Sequence, residues 1–417
     1  MVYFFPASIT RCLLAAVACV ALNAGDLAQL QQLEEKHRMF ELRDLLDAPG
    51  WKPGETLFYR AMVDSRFGRE REAVSEFQTF LAAKPVPDLE RRARFELSNA
   101  LARLGDLGAA AAELTAALRL TSETDNSRAD IENGRAFLSS LKDAPAQNVE
   151  FGPPSPLQAR RNDLGLWTVP VETNSQHSEW ILDTGASLST VTESEARRLG
   201  LAIRQVHGYA IGSTQARSVA QLAIAAELRL GSARLHNVAF LMVADSVLFM
   251  SKHQIHGILG LPALSALGCV DLSADGVVTF DCGARPPAGR ENFFYDGVAP
   301  IVQVLHAGHT LQMFLDTGNS ATLLYPSARD VLAQWEPNQL AGPRPADFAG
   351  GGGSVQVQAA TVPAIQLEIQ GRTFFLQGVK LLSQGLGGAG FRDGVLGIDA
   401  CAAGCRLDFR AMQFSRK

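Results

Sequence analysis

Two short segments of this chain carry residues arranged for chemistry. Asp183-Thr184-Gly185-Ala186-Ser187 and Asp316-Thr317-Gly318-Asn319-Ser320 each follow an apolar run, and 133 residues separate the two aspartates. A strand running into Asp-Thr-Gly places a carboxylate on a tight loop, where glycine lets backbone N–H groups approach closely. Two such loops brought face to face would put Asp183 beside Asp316. Neighbouring carboxylates cannot both ionise cheaply, so the pair tends to hold one proton. The ionised member can then take a proton from water while the protonated member polarises a carbonyl. Neither a metal nor a serine nucleophile is required. Ser187 and Ser320 have no His-Asp arrangement around them in the sequence.

The surroundings of the two segments repeat as well. WTVPVETNSQHSEWILDTGAS aligns with APIVQVLHAGHTLQMFLDTGNS. Each copy is followed by a Gly-apolar-apolar-Gly segment, Gly257–Gly260 and Gly394–Gly397, 137 residues apart. Short β-branched runs between Gly, Asn and Asp turns mark 163–417 as all-β, and GARPPAGREN divides it into near-equal parts. The expected units are lobe 1 at 163–283, a linker at 284–292 and lobe 2 at 293–417.

These motifs resemble the retropepsin-like aspartic proteases, with both copies on one chain as in pepsin-type enzymes. The resemblance implies a monomeric internal pseudo-dimer of two acid-protease barrels and an aspartic endopeptidase acting on protein or peptide substrates without a cofactor. It implies that Asp183 and Asp316 are catalytic and that Thr184 and Thr317 brace the two loops by cross-lobe bonds. Gly185 and Gly318, with Ala186, Ser187, Asn319 and Ser320, would support the carboxylates and the substrate backbone. The Gly-apolar-apolar-Gly segments would support the catalytic loops. Asn319 departs from the small residues usual at its position, which would alter the surroundings of the second carboxylate. The covering flaps are expected at Gly208, Tyr209 and Gly212 and at Gly351 and Gly352, because a lid needs glycine's freedom.

The preceding region, 25–145, is rich in Ala, Leu, Glu and Arg with apolar spacing of three and four, so it is helical. Two stretches in it place Gly68 and Gly105, 37 residues apart, between helical faces. This resembles tetratricopeptide repeats, whose period is 34 residues, and suggests a protein partner. A plain helical bundle is the alternative. Thr192 and Glu195 form a capping-box pattern, and His256 is read as structural. A Pro-rich linker is expected at 146–162.

The fold class expected is therefore mainly β, two acid-protease barrels preceded by an all-α helical-repeat domain. With 38 basic and 43 acidic residues, the chain has no basic footprint for nucleic acid. Its ten-residue apolar run, Leu13–Leu22, is too short to span a bilayer. Arg11 ahead of that run and small residues after it read as a signal peptide over 1–24, with a buried first helix as the alternative. Export to the periplasm or exterior follows. Cys19 behind Ala16-Val17-Ala18 makes a poor lipobox and a less favoured lipid anchor. Export would place Cys269, Cys282, Cys401 and Cys405 in an oxidising compartment. Cys269 and Cys282 flank a hairpin and could bridge, but four cysteines allow three pairings. The competing function is a non-catalytic periplasmic helical-repeat scaffold carrying an inactive protease-like region.

Overall fold

The computed structural model describes residues 24–417 apart from 53, 154, 213–216, 251, 284–288, 333–340 and 387–389. The signal-peptide reading and Cys19 therefore lie outside the described residues. Among the described residues the chain is mixed α and β, with an N-terminal region of seven helices followed by β-rich sheets.

The helices are α1 (Ala24–Glu35), α2 (Met39–Leu46), α3 (Leu57–Arg66), α4 (Glu70–Ala82), α5 (Pro87–Arg103), α6 (Leu107–Arg119) and α7 (Arg128–Leu141). Helix starts follow local chemistry: Pro87 opens α5, and the Asp106 carboxylate accepts the Ala109 N–H as the N-cap of α6. Phe58, Ala61, Ala73, Phe77, Ala93, Leu97 and Ala110 share one buried cluster, so α3 to α6 pack as a unit. None of the described helices is long and apolar enough to cross a membrane.

In the first β region, eight strands run in the spatial order 148–151, 233–243, 189–192, 257–259, 176–182, 167–173, 217–230 and 202–211, with a ninth short strand beside 167–173. Trp167–Thr173 shows the period of a half-buried strand, with Trp167, Val169, Val171 and Thr173 turned inward. Gln176–Leu182 leads into Asp183. It lies parallel to Gly257–Leu259 through the pair Ile258↔Ile181. Gly257–Leu259 in turn runs antiparallel to Ser189–Thr192.

The second β region repeats that crossing. His309–Leu315 leads into Asp316 and lies parallel to Gly394–Leu396, which runs antiparallel to Leu323–Leu324. Its sheet has eight strands and ends, like the first, in a long antiparallel pair, Ala341–Gly350 with Gly353–Ile369.

A third sheet of five strands joins the two regions. Cys269–Ser273 pairs antiparallel with Gly404–Asp408, and each is flanked by a strand of its own region. Cys269 bridges Cys282 and Cys401 bridges Cys405, with Cα–Cα distances of 5.7 and 5.0 Å. Of the three pairings open from sequence, this is the one found.

Residues 146–162 are not the free tether that their prolines suggest. Asn148–Phe151 adds an edge strand against Ala233–His236, and Leu157–Gln158 pairs with Val277–Val278 in the joining sheet. Both are edge additions, where proline between the pairing segments costs no interior ladder.

The helices also share a core with the second β region. Met39, Phe40, Leu42, Val63 and Phe67 belong to one buried cluster with Phe294, Ile301, Phe314 and Tyr325. Phe40 meets Phe67 and Phe294 edge-on, at 5.3 and 5.5 Å between ring centroids. Around this cluster runs a charged seam. Asp296 accepts from Arg66 at 2.8 Å and from Arg392 at 3.2 Å. Burial alone would raise Asp296, but Arg66 and Arg392, with His37, hold it down at about 2.

Candidate active site

Leu182 and Leu315 end buried strands, and the backbone turns sharply at the aspartate that follows each. Asp183 N–H donates to the Leu259 carbonyl and Asp316 N–H to the Leu396 carbonyl, both at 3.0 Å. The Gly-apolar-apolar-Gly segments thus hold the first atom of each loop. Gly260 N–H donates to Ser189 Oγ, and Gly397 N–H donates to Thr322 Oγ1, both at 3.1 Å.

Ser189 and Thr322 were not singled out from sequence, yet each lies six residues after its aspartate. A hydroxyl at the same offset in both copies was the available signal. Thr322 is held further by Asp399, whose carboxylate accepts the Thr322 hydroxyl at 2.7 Å.

The two loops meet through their threonines. Thr184 Oγ1 donates to the Leu315 carbonyl at 2.7 Å, and Thr317 Oγ1 donates to the Leu182 carbonyl at 2.8 Å. Each hydroxyl also accepts the other threonine's N–H, at 3.0 and 3.1 Å. Four reciprocal bonds between buried groups fix the separation and orientation of the loops. Leaving any one of those groups unpaired would cost about 1–3 kcal/mol.

Asp183 and Asp316 lie side by side and are only 6% and 8% exposed. A Cβ on Gly185 would collide with the Asp316 carboxylate, and one on Gly318 would collide with that of Asp183. Only glycine permits this approach.

Inside this symmetric frame the carboxylates differ. Asp183 Oδ1 accepts two backbone N–H groups, from Gly185 at 2.7 Å and Ala186 at 3.1 Å. Asp316 Oδ1 accepts the Gly318 N–H at 3.0 Å. The Asn319 N–H turns to the Asp316 backbone carbonyl instead, at 3.1 Å. Burial, and then the neighbouring Asp183 charge, push Asp316 well above the usual carboxylate range, against the opposing Gly318 N–H. Backbone donors favour an ionised carboxylate and burial beside a like charge favours a protonated one. The arrangement therefore suits one proton, held on Asp316.

Among the other residues named from sequence, Ala186 and Ser187 are buried beside Asp183, whereas Ser320 is exposed. The Asn319 side chain faces its own turn, towards Ala321 N–H at 3.5 Å. Gly208, Tyr209 and Gly212 lie on or just after Ala202–Ile211, and Gly351 and Gly352 form the turn between Ala341–Gly350 and Gly353–Ile369. The two sets come together, since a Cβ on Gly212 would collide with the Gly351 carbonyl. Gly352 N–H donates to the Val247 carbonyl at 3.1 Å. Thr192 caps the helix Glu193–Arg198 by accepting the Glu195 N–H at 3.4 Å. The return half of the capping box is absent, because Glu195 pairs with Arg198 and the Thr192 N–H goes to His256 O. Among the described residues no group of three or more His, Cys, Asp or Glu is placed to hold a metal ion.

Residues 169–263 match the aspartyl protease family. That stretch holds Asp183, Gly257 and Gly260, so the first copy of the motif lies in an aspartyl protease-like domain. Among solved structures, the chain is similar to a retropepsin-like aspartic protease from Rickettsia conorii, at 16% identity. The alignment covers 33% of this chain and 95% of that one, with a TM-score of 0.23. No curated protein matches the chain.

Proposed function

We propose that this protein is an aspartic endopeptidase whose two β regions act as one pseudo-symmetric enzyme, with Asp183 and Asp316 as the catalytic pair. The observation that carries the reading is the reciprocal threonine network, which holds two buried carboxylates together at the cost of their mutual repulsion. Such an arrangement is unfavourable for stability alone, and perturbed acids in this setting point to a functional site.

Asp183, whose Oδ1 accepts two backbone N–H groups, takes a proton from a water molecule as the water oxygen attacks the scissile carbonyl carbon. Asp316 gives its proton to the carbonyl oxygen, producing a neutral gem-diol. On collapse, Asp183 returns its proton to the departing amine while Asp316 recovers one from a diol hydroxyl. The C–N bond breaks and the pair regains its starting protonation. The hairpins that meet at Gly212 and Gly351 cover the bound peptide in this reading.

Export to a periplasm or exterior fits the N-terminal sequence, and the two disulfides support an oxidising compartment. The repeat-like helix pairs of the N-terminal region suit a protein partner.

The deciding experiment is digestion of a peptide library by the mature protein and by Asp183→Asn and Asp316→Asn. Each variant should lose about 10³-fold or more in kcat and keep its fold. Variants that cut as well as the parent would overturn the dyad. A parent that cuts nothing would favour the scaffold reading.

A further inference from the structure

Helix α7 carries polar residues where a helix interior disfavours them. Asn133 is buried at mid-helix, and a buried amide is tolerated only when its hydrogen bonds are made. Its partner lies 76 residues away. Asn133 Nδ2 donates to the Tyr209 carbonyl and its Oδ1 accepts the Tyr209 N–H, both at 2.9 Å. A side-chain amide here pairs with one residue's backbone as a neighbouring strand would.

The same helix face continues the contact in both directions. Asp130, one turn earlier, accepts the Tyr209 hydroxyl at 2.6 Å. It also faces Arg217 at 3.3 Å, whose guanidinium lies over the Tyr209 ring. One turn later, the Phe137 ring fills the place where a Cβ on Gly208 would stand. The Ser140 carbonyl then accepts from Arg204 at 3.1 Å. Positions 130, 133, 137 and 140 follow the spacing of one helical face, and they meet Ala202–Ile211 in reverse order along the strand. The strand is shaped for this. Arg204 pairs with Leu222 but Gly208 with Ala220, so a bulge bends it where α7 lies.

The opposite hairpin is held differently. Residues 345–350 alternate between exposed and half-buried, with Ala346 and Phe348 resting on the apolar cluster shared with α2 rather than held by buried polar bonds like those of Asn133. Its turn rests on Gly212 and on the Val247 carbonyl.

We infer that α7 fixes the first hairpin as a stationary wall of the substrate channel, with Asn133 and Asp130 as positioning residues, and that substrate is admitted by movement of the tip of the second hairpin, residues 345–356, beyond the point where its strands enter the core at Val357. This rests on the endopeptidase reading for its consequence, but not for its physical test.

Hydrogen exchange on the full chain supplies that test. Amides of 202–211 should exchange more slowly than those of 345–356. Asn133→Ala should speed exchange at 202–211 by about tenfold, the loss expected for two hydrogen bonds to a buried amide, and leave 345–356 unchanged. Asn133→Asp, which keeps the acceptor and loses the donor, should fall between. If Asn133→Ala does not fold, Tyr209→Phe, which breaks only the hydroxyl bond, and Asp130→Ala, which removes the Arg217 pair as well, should give a smaller rise in the same segment. On peptide substrates, Asn133→Ala should raise KM more than it lowers kcat. Unchanged exchange at 202–211, or equal loosening of both hairpins, would overturn the inference. A parent enzyme that cleaves no peptide would refute the endopeptidase reading and leave the exchange result standing.

Discussion

The loops at Asp183 and Asp316 agree bond for bond at their base, whereas the hairpins beyond them are supported by different means. Both loops hang from a Gly-apolar-apolar-Gly segment, and their threonines exchange the same four contacts. The first hairpin is then tied to α7 by polar bonds, while Phe40 of α2 and Phe67, just after α3, are buried against the second region's sheet. Symmetry is kept where two carboxylates must meet, and is given up where the helices attach to each copy through a different face.

This contrast can be broken at the helix contacts first. Phe67→Ala removes a buried ring that touches Phe40 and Phe294. It should destabilise the whole protein by about 3–5 kcal/mol, read by chemical denaturation as a single transition. Two separate transitions, with the β regions unaffected, would show the helices to be an independent unit.

The symmetric part is sharpened by Thr184→Val and Thr317→Val. Each strands one buried N–H and one buried carbonyl, so each should cost about 2–4 kcal/mol. Near-equal shifts in Tm are expected. A much larger loss from one of them would show that the brace is one-sided.

The smallest effect concerns the carboxylates themselves. Asp316 has its folded pKa raised, so its favourable contribution is present below about pH 4, the unfolded carboxylate value, and is lost as pH rises through the folded value. Asp316→Asn should therefore raise Tm at neutral pH, with an advantage that fades as the solution is acidified. A Tm difference independent of pH would assign the proton elsewhere.

What could be read from the sequence follows the range of each interaction. The two Asp-Thr-Gly segments were legible because their residues are contiguous and duplicated. The helical texture of 25–145 was legible from periodicity. Ser189 and Thr322 were missed because a lone hydroxyl has no signature until the two copies are aligned at that offset. Asn133 was not singled out, because its partner Tyr209 lies on another element and nothing local connects them. The strands within 146–162 were hidden for the same reason, since proline and glycine spoke for a linker while edge pairing is decided by the partner strand. Burial of Phe67 and Phe294 against one another likewise depends on contacts across more than two hundred residues.

The joining sheet has a mechanical consequence. Val270 pairs with Leu407 and Asp271 with Arg406 in one uninterrupted antiparallel ladder, so swinging the halves apart about a hinge would shear several backbone hydrogen bonds at once. Rigid-body gaping is thereby suppressed, and whatever access the cleft allows must be granted at its rim.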